Sequence, residues 1–71
     1  MSVIIFTDRY GDNVYINIDS ISHFKSDGND NTIVFLNSYQ ENGQNYLIVK
    51  HSPSYVLSSI KSVQDLNVKK D

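Results

Sequence analysis

The chain of 71 residues contains no cysteine and no tryptophan, and it has one proline and three glycines. Without cysteine it can form no disulfide, no thiolate nucleophile and no cysteine zinc site. No apolar run approaches the roughly 18 residues that a membrane-spanning helix requires. The first residues also lack the basic start and long apolar core of a signal peptide. These absences predict a cytoplasmic protein without a membrane span.

Basic residues are scarce as well. Six Lys and Arg stand against eight Asp and Glu, which gives a net charge of -2 and an isoelectric point near 5.4. Proteins that bind nucleic acids draw much of their affinity from Lys and Arg side chains on phosphates. The net charge therefore argues against nucleic acid as a partner.

Alanine is absent and leucine occurs four times, whereas isoleucine occurs eight times, valine seven and tyrosine five. Because β-branched and aromatic side chains fit pleated strands better than helices, this composition favours strands. Serine and asparagine are abundant, and both favour turns and caps over helix interiors. The chain is also short enough for one domain only. We expect one small, mainly β domain of the α+β type.

Hydrophobic patterning predicts an antiparallel meander of four to five strands followed by one C-terminal helix. The predicted strands are residues 3–7, 13–18, 21–26, 32–38 and 45–50, separated by turns rich in Gly, Asp and Asn. Ser52 and Pro53 form a helix start, and apolar residues at helical spacing continue it to about Val63. The prediction is one domain over residues 1–64 and a flexible polar tail over residues 65–71.

The first and fourth strands are apolar on both faces, at residues 3–6 and 33–36. One helix can cover only one face of a sheet, so the second face needs another cover. Either the sheet curls into a small barrel or a second copy of the chain covers it. The small size without disulfides favours a homo-oligomer. The predicted interface residues are Ile5, Tyr15, Phe35 and Tyr46, since aromatic side chains bury much area at low entropic cost.

No residue pattern is typical of catalysis or of metal binding. His23 and Asp19 are four residues apart, a spacing that shares a face only on a helix, and this stretch does not have a helical pattern. A nearby serine completes a Ser/His/Asp composition, but no Gly-flanked nucleophile elbow surrounds it. We therefore predict a protein that is not an enzyme and needs no cofactor or metal.

A second hypothesis is that the chain sequesters a small ligand or nucleotide. Its phosphate or other anionic group would need cationic contacts in the body of the domain. The candidates for these contacts are Arg9, Lys25, Lys50 and His51. A phage or mobile-element protein that sequesters such a ligand, or that blocks a host protein, fits this size.

Four segments follow one another as in a known family. They are Arg-Tyr-Gly at 9–11, Ile-Asn-Ile-Asp-Ser-Ile at 16–21, Asn-Thr-Ile-Val-Phe-Leu at 31–36 and Tyr-Leu-Ile-Val-Lys-His-Ser at 46–52. This order resembles the small flagellar-operon proteins of the FlbD/SwrD family. Ile18 stands where that family has Pro, and His51 where it has Glu. The resemblance implies a non-enzymatic cytoplasmic protein that acts in motility through protein contacts, and we expect another protein as a partner besides the second copy.

The pattern is also similar to part of a LytTR-type DNA-binding domain. The shared features are Asp-Ser-Ile at 19–21, Val-Lys at 49–50, and the serine and leucine at 52 and 57. That domain is longer and more basic than this chain, so DNA binding ranks below the other two hypotheses.

Overall fold

The computed structural model describes the backbone of residues 2–68 and the side chains of residues 2–64. Five strands are followed by one helix. The elements are β1 (Val3–Thr7), β2 (Asn13–Asn17), β3 (Ile21–Ser26), β4 (Thr32–Leu36), β5 (Tyr46–Val49) and α1 (Pro53–Val68). The predicted mainly β fold with antiparallel strands and a C-terminal helix is confirmed.

The predicted boundaries differ from the observed ones mainly at the helix. Strands β2, β4 and β5 are each one or two residues shorter than expected, whereas α1 runs five residues past Val63. No Gly or Pro follows Val63, so no residue that breaks helices stops α1 there. The side chains of the predicted tail at 65–71 lie outside the described residues.

The strands form two antiparallel sheets. In the first, β1 pairs with β2, and inward residues face each other as Ile4 with Ile16. In the second, β4 lies between β3 and β5, and Val34 is the inward residue of the central strand. A single 3₁₀ turn, Ile18–Ser20, links the two sheets, and the Asn17 side chain caps it by accepting the Asp19 N–H at 2.9 Å.

The two sheets also meet where β1 ends and β5 ends. Asp8 and Val49 form an isolated antiparallel bridge. On either side of it, the Arg9 N–H donates to the Ile48 carbonyl at 3.0 Å and the Lys50 N–H donates to the Thr7 carbonyl at 2.8 Å. We call this region the junction. Because the 3₁₀ turn and the junction connect the sheets at two places, both inner faces enclose one core.

The core is built from the inner faces of both sheets and one face of α1. The fully or nearly fully buried apolar residues are Ile4, Phe6, Ile16, Val34, Val49 and Val56. The helix contacts both β1 and β3 and packs Ile60 and Val63 against this core. Its first turn is capped as predicted, since the Ser52 hydroxyl accepts the Tyr55 N–H at 3.2 Å. The helix thus covers the inner faces and leaves the outer faces of the sheets without a helix.

Strand β3 contains a bulge that decides which of its side chains face outward. Ile21 pairs with Leu36 and His23 pairs with Phe35, so Ser22 has no partner in the register. Strict alternation would place Ile21 and His23 on the same face. With the extra residue, Ile21 and Phe24 both pack on the core, and His23 faces outward. The bulge thereby turns the His23 side chain from the inner to the outer face of the sheet, and β-bulges commonly change side-chain direction in this way.

The loop between β3 and β4 is held by Asp27, and this gives a testable pH dependence. One oxygen of its carboxylate, Oδ1, accepts the N–H of Asn29 at 2.7 Å and that of Asn31 at 3.2 Å. The Asn29 hydrogen bond is the largest cause that lowers the pKa of Asp27 below its ordinary value. The loop is therefore stabilised above the unfolded-state pKa, and this contribution is lost as the pH falls through the lower folded-state pKa.

We expect an NMR titration of the Asp27 carboxyl carbon to give a midpoint below the ordinary value of about 3.9. The amide proton of Asn29 should follow the same midpoint. In the Asp27→Asn variant, which keeps an acceptor oxygen, the Asn29 amide should show no such transition. A midpoint at or above the ordinary value would contradict this prediction.

Candidate functional site

Among the described residues, no helix covers the outer faces of the two sheets. The outer face of the first sheet, here called the hairpin face, consists of Val3, Ile5, Thr7, Asn13, Tyr15 and Asn17. The outer face of the second sheet, here called the aromatic face, consists of His23, Lys25, Ile33, Phe35, Tyr46 and Ile48.

The hairpin face is apolar at its centre and uncharged throughout. Ile5 and Tyr15 are cross-strand partners, and their exposed fractions are 53% and 67%. Val3, on the same side of β1, is 52% exposed. The other members of the face are Thr and Asn, so no side chain there carries a charge. Ile5 and Tyr15, both predicted as interface residues, are thus adjacent and accessible.

The aromatic face has a row of three rings across its strands. The His23 and Phe35 rings are stacked, with centroids 4.4 Å apart and planes 9° apart. The Tyr46 ring follows at 6.1 Å from Phe35 and is tilted by 48°. His23 is exposed on the edge strand, whereas Phe35 and Tyr46 are half-buried. The predicted interface residues Phe35 and Tyr46 therefore lie side by side, on a different sheet from Ile5 and Tyr15.

Cations flank this row on both sides. The Lys25 Nζ lies 6.0 Å from the Phe35 ring centroid. At the opposite side, the junction register places Arg9 opposite Ile48 and Lys50 opposite Thr7, so Lys50 lies at the border between the aromatic face and the hairpin face. Since adjacent strands are about 4.8 Å apart, Lys25 and Arg9 stand about 14 Å apart across four strands. Three of the four predicted anion contacts are thus brought to one surface.

The Arg9 guanidinium is held by its neighbour. Its Nη2 donates to the Tyr10 hydroxyl at 3.0 Å, and the guanidinium carbon lies 5.1 Å from the Tyr10 ring centroid. This hydrogen bond is the largest cause that raises the pKa of Arg9, with a smaller contribution from Tyr46. Arg9 therefore remains a cation at every physiological pH and is near the end of the ring row.

Acidic side chains are absent from the aromatic face. Within residues 2–64 the acids are Asp8, at the junction bridge, and Asp12, Asp19, Asp27, Asp30 and Glu41, in turns and loops. Asp8 is the acid closest in sequence to Arg9, and its Oδ1 accepts the N–H groups of Tyr10 and Asp12, both at 2.9 Å. Asp8 nevertheless lines the cleft beside Arg9 and Tyr46, so it is the acid nearest to the cationic end of this surface among residues 2–64.

A cleft beside the aromatic face is small and open. It has a volume of about 220 Å³ and is lined by Arg9, Tyr10, Gln40, Tyr46 and Ile48, among others. Pockets that enclose small molecules usually measure ~300–1,000 Å³. The geometry therefore offers binding on an open surface rather than enclosure of a substrate.

His51 is the predicted anion contact that the structure places elsewhere. Its Nε2 accepts the Thr7 backbone N–H at 3.1 Å, and its carbonyl accepts the Thr32 hydroxyl at 2.7 Å. Its ring stacks on Tyr55 at 4.3 Å and lies 5.6 Å from the Phe6 ring. All these contacts are made at the junction, so His51 connects β1, β4 and α1.

Within residues 2–64, no group of three His, Asp or Glu side chains is close enough to hold a metal ion. In the same part of the chain, every buried side-chain nitrogen and oxygen has a hydrogen-bond partner. No helix among the described residues is long and apolar enough to cross a membrane. Sequence reasoning overlooked His23, Ile33 and Ile48 as parts of the aromatic face. His23 carried no sequence signal for this placement, because the bulge that turns it outward appears only in the strand register.

Comparison with protein-family models gives no match, and no curated protein or solved structure is significantly similar to the chain. The function is therefore argued from the two outer faces alone.

Proposed function

We propose that this protein is a non-catalytic interaction module that pairs with a second copy of itself through the hairpin face. The observation that carries the proposal is the exposed, uncharged apolar centre formed by Val3, Ile5 and Tyr15. Large exposed apolar patches rimmed by polar residues are typical of protein interfaces. The Thr and Asn residues of this face supply such a rim.

Charge favours the hairpin face over the aromatic face for self-association. A two-fold interface brings the same patch of both copies together. On the hairpin face the six side chains are uncharged, and the cations Arg9 and Lys50 lie only beyond Thr7 at one end, so a pairing centred on Ile5 and Tyr15 places no like charges opposite each other. On the aromatic face it would bring Lys25, Arg9 and Lys50 against their own copies, and such like-charge contacts cost several kcal/mol.

The test is the mass of the protein in solution. We expect native mass spectrometry and sedimentation velocity to show a concentration-dependent dimer for the unmodified chain. Ile5→Lys should weaken it by at least about 3 kcal/mol, which is more than a hundredfold, because two lysines would meet at the interface. Leu57→Lys is the matched control, since Leu57 on α1 is 49% exposed, close to the 53% of Ile5.

Circular dichroism should show that both variants fold. An unmodified chain that is monomeric at 100-micromolar concentrations, roughly the upper range for a specific weak complex, would overturn the proposal. A folded Ile5→Lys variant that dimerises like the Leu57→Lys control would do the same.

A further inference from the structure

The aromatic face combines two properties. It presents a row of rings, and the charged side chains on the face and at its ends are the cations Lys25 and Arg9, with the Asp8 carboxylate in the adjacent cleft. We infer that it binds nucleotides, with a base stacked on the ring row and a phosphate held by Lys25 or Arg9. The inference does not depend on the hairpin face or on dimerisation.

The ring row can accept a base at its edge. His23 uses one ring face to stack on Phe35 at 4.4 Å. It is exposed and lies on β3, the edge strand of its sheet, so its second ring face is turned away from Phe35 and toward solvent. A base placed there extends an existing stack of two parallel rings. Stacking of bases on aromatic side chains is the shared device of proteins that bind single strands.

Phosphate contacts are available at the right positions. Lys25 follows His23 by two residues on the same strand and the same face, so its ammonium group can reach the phosphate of a base stacked on His23. Arg9, about 14 Å away across the strands, can contact a second phosphate. A planar guanidinium suits bidentate binding of phosphate. The surface could therefore bind one nucleotide near Lys25 and another near Arg9. It could also bind a short single strand that crosses β3, β4, β5 and β1.

The inference departs from the prediction that rests on net charge. In the whole chain the six Lys and Arg residues are outnumbered by eight Asp and Glu residues. Affinity for phosphate, however, depends on the electrostatic potential at the binding surface. In residues 2–64, three of the four Lys and Arg side chains, namely Arg9, Lys25 and Lys50, lie on or beside the aromatic face. None of the acids of the same region lies on this face, and Asp8 is the one that lines the cleft next to Arg9.

The experiment is fluorescence anisotropy with a fluorescein-labelled single-stranded DNA of about 15 nucleotides, its RNA counterpart and the matching DNA duplex. We expect the single strands to bind and the duplex to bind at least about tenfold more weakly, because paired bases cannot reach the rings. His23→Ala should weaken single-strand binding by about fivefold or more, the loss of one stacked base. Lys25→Ala should lower the salt dependence of the binding constant by about 0.7 in slope.

Matched control variants distinguish binding at the aromatic face from nonspecific binding elsewhere on the protein. Tyr39→Ala removes an aromatic residue that is 76% exposed in the β4–β5 loop, and Lys61→Ala removes a cation from α1; both should bind like the unmodified chain. Ile5→Lys should also keep its binding, and His23→Ala should keep the dimer. The nucleotide inference and the dimer proposal can therefore fail separately.

An NMR titration with AMP distinguishes the two sources of the ligand. Amide shifts confined to His23, Lys25 and Phe35, without binding of the labelled strands, would support a free nucleotide as the ligand. Equal binding of duplex and single strand, equal binding by the His23→Ala and Tyr39→Ala variants, or no response to either probe would overturn the inference.

Discussion

Replacing Phe6 by alanine is expected to lower the free energy of unfolding by about 3–5 kcal/mol. Phe6 is only 1% exposed and lies among the core residues of both sheets and the helix. A chain of this length has a total stability of about 4–10 kcal/mol, so the variant should lose between about a third and all of its stability at 25 °C. The cavity cannot refill easily, because the junction ties β1 to β5 next to it.

Urea unfolding followed by circular dichroism, at one fixed protein concentration, measures this loss. The control is Leu57→Ala, since Leu57 is 49% exposed on α1 and should change stability by less than about 1 kcal/mol. A Phe6→Ala variant that loses less than about 1 kcal/mol would show that the core is not shared as described.

The second large effect is expected at His51. His51→Phe keeps an aromatic ring beside Phe6 and Tyr55 but removes the nitrogen that accepts the Thr7 N–H. Leaving that half-buried donor without an acceptor should cost about 1–3 kcal/mol. His51→Ala loses the ring packing as well, so its loss should exceed that of His51→Phe.

Two measurements check the His51 prediction. Urea unfolding should rank the unmodified chain first, then His51→Phe, then His51→Ala. Hydrogen exchange should show faster exchange of the Thr7 amide in both variants, while amides in the β3–β4 pairing change little. A His51→Phe variant as stable as the unmodified chain would mean that the Thr7 N–H finds another acceptor.

Elements with local signals were predictable from the sequence. Ser52 and Pro53 identified the start of the helix because the capping hydroxyl and the proline act within one turn. The apolar run at residues 3–6 predicted apolar side chains on both faces of β1, and the structure buries Ile4 and Phe6 and exposes Ile5.

The features that needed long-range information were not predictable in the same way. The bulge at Ser22 changes which side of β3 His23 occupies, and alternation alone cannot reveal an unpaired residue. The pairing of β1 with the end of β5 joins residues about 40 positions apart, at Asp8 and Val49. Without that register, Arg9 could be named as a candidate anion contact but not placed beside Tyr46.

The same distinction divides the candidate site. Ile5, Tyr15, Phe35 and Tyr46 were predicted as one interface because the first and fourth strands are apolar on both faces and because tyrosine is favoured at interfaces. The structure separates them into two surfaces with different electrostatic character, one uncharged and one flanked by cations. Charge distribution over a surface follows from the strand order, which composition does not specify.

The junction also has a consequence for the order in which the molecule assembles. Pairing within β1–β2 and within β3–β4–β5 closes only short stretches of chain, whereas the Asp8–Val49 bridge closes a loop of about 40 residues. Since the entropic cost of closing a loop rises with its length, we expect the two sheets to form first and to dock afterwards. The contacts of His51 would then be made last and lost first. We therefore expect partial opening of the native protein to begin at the junction.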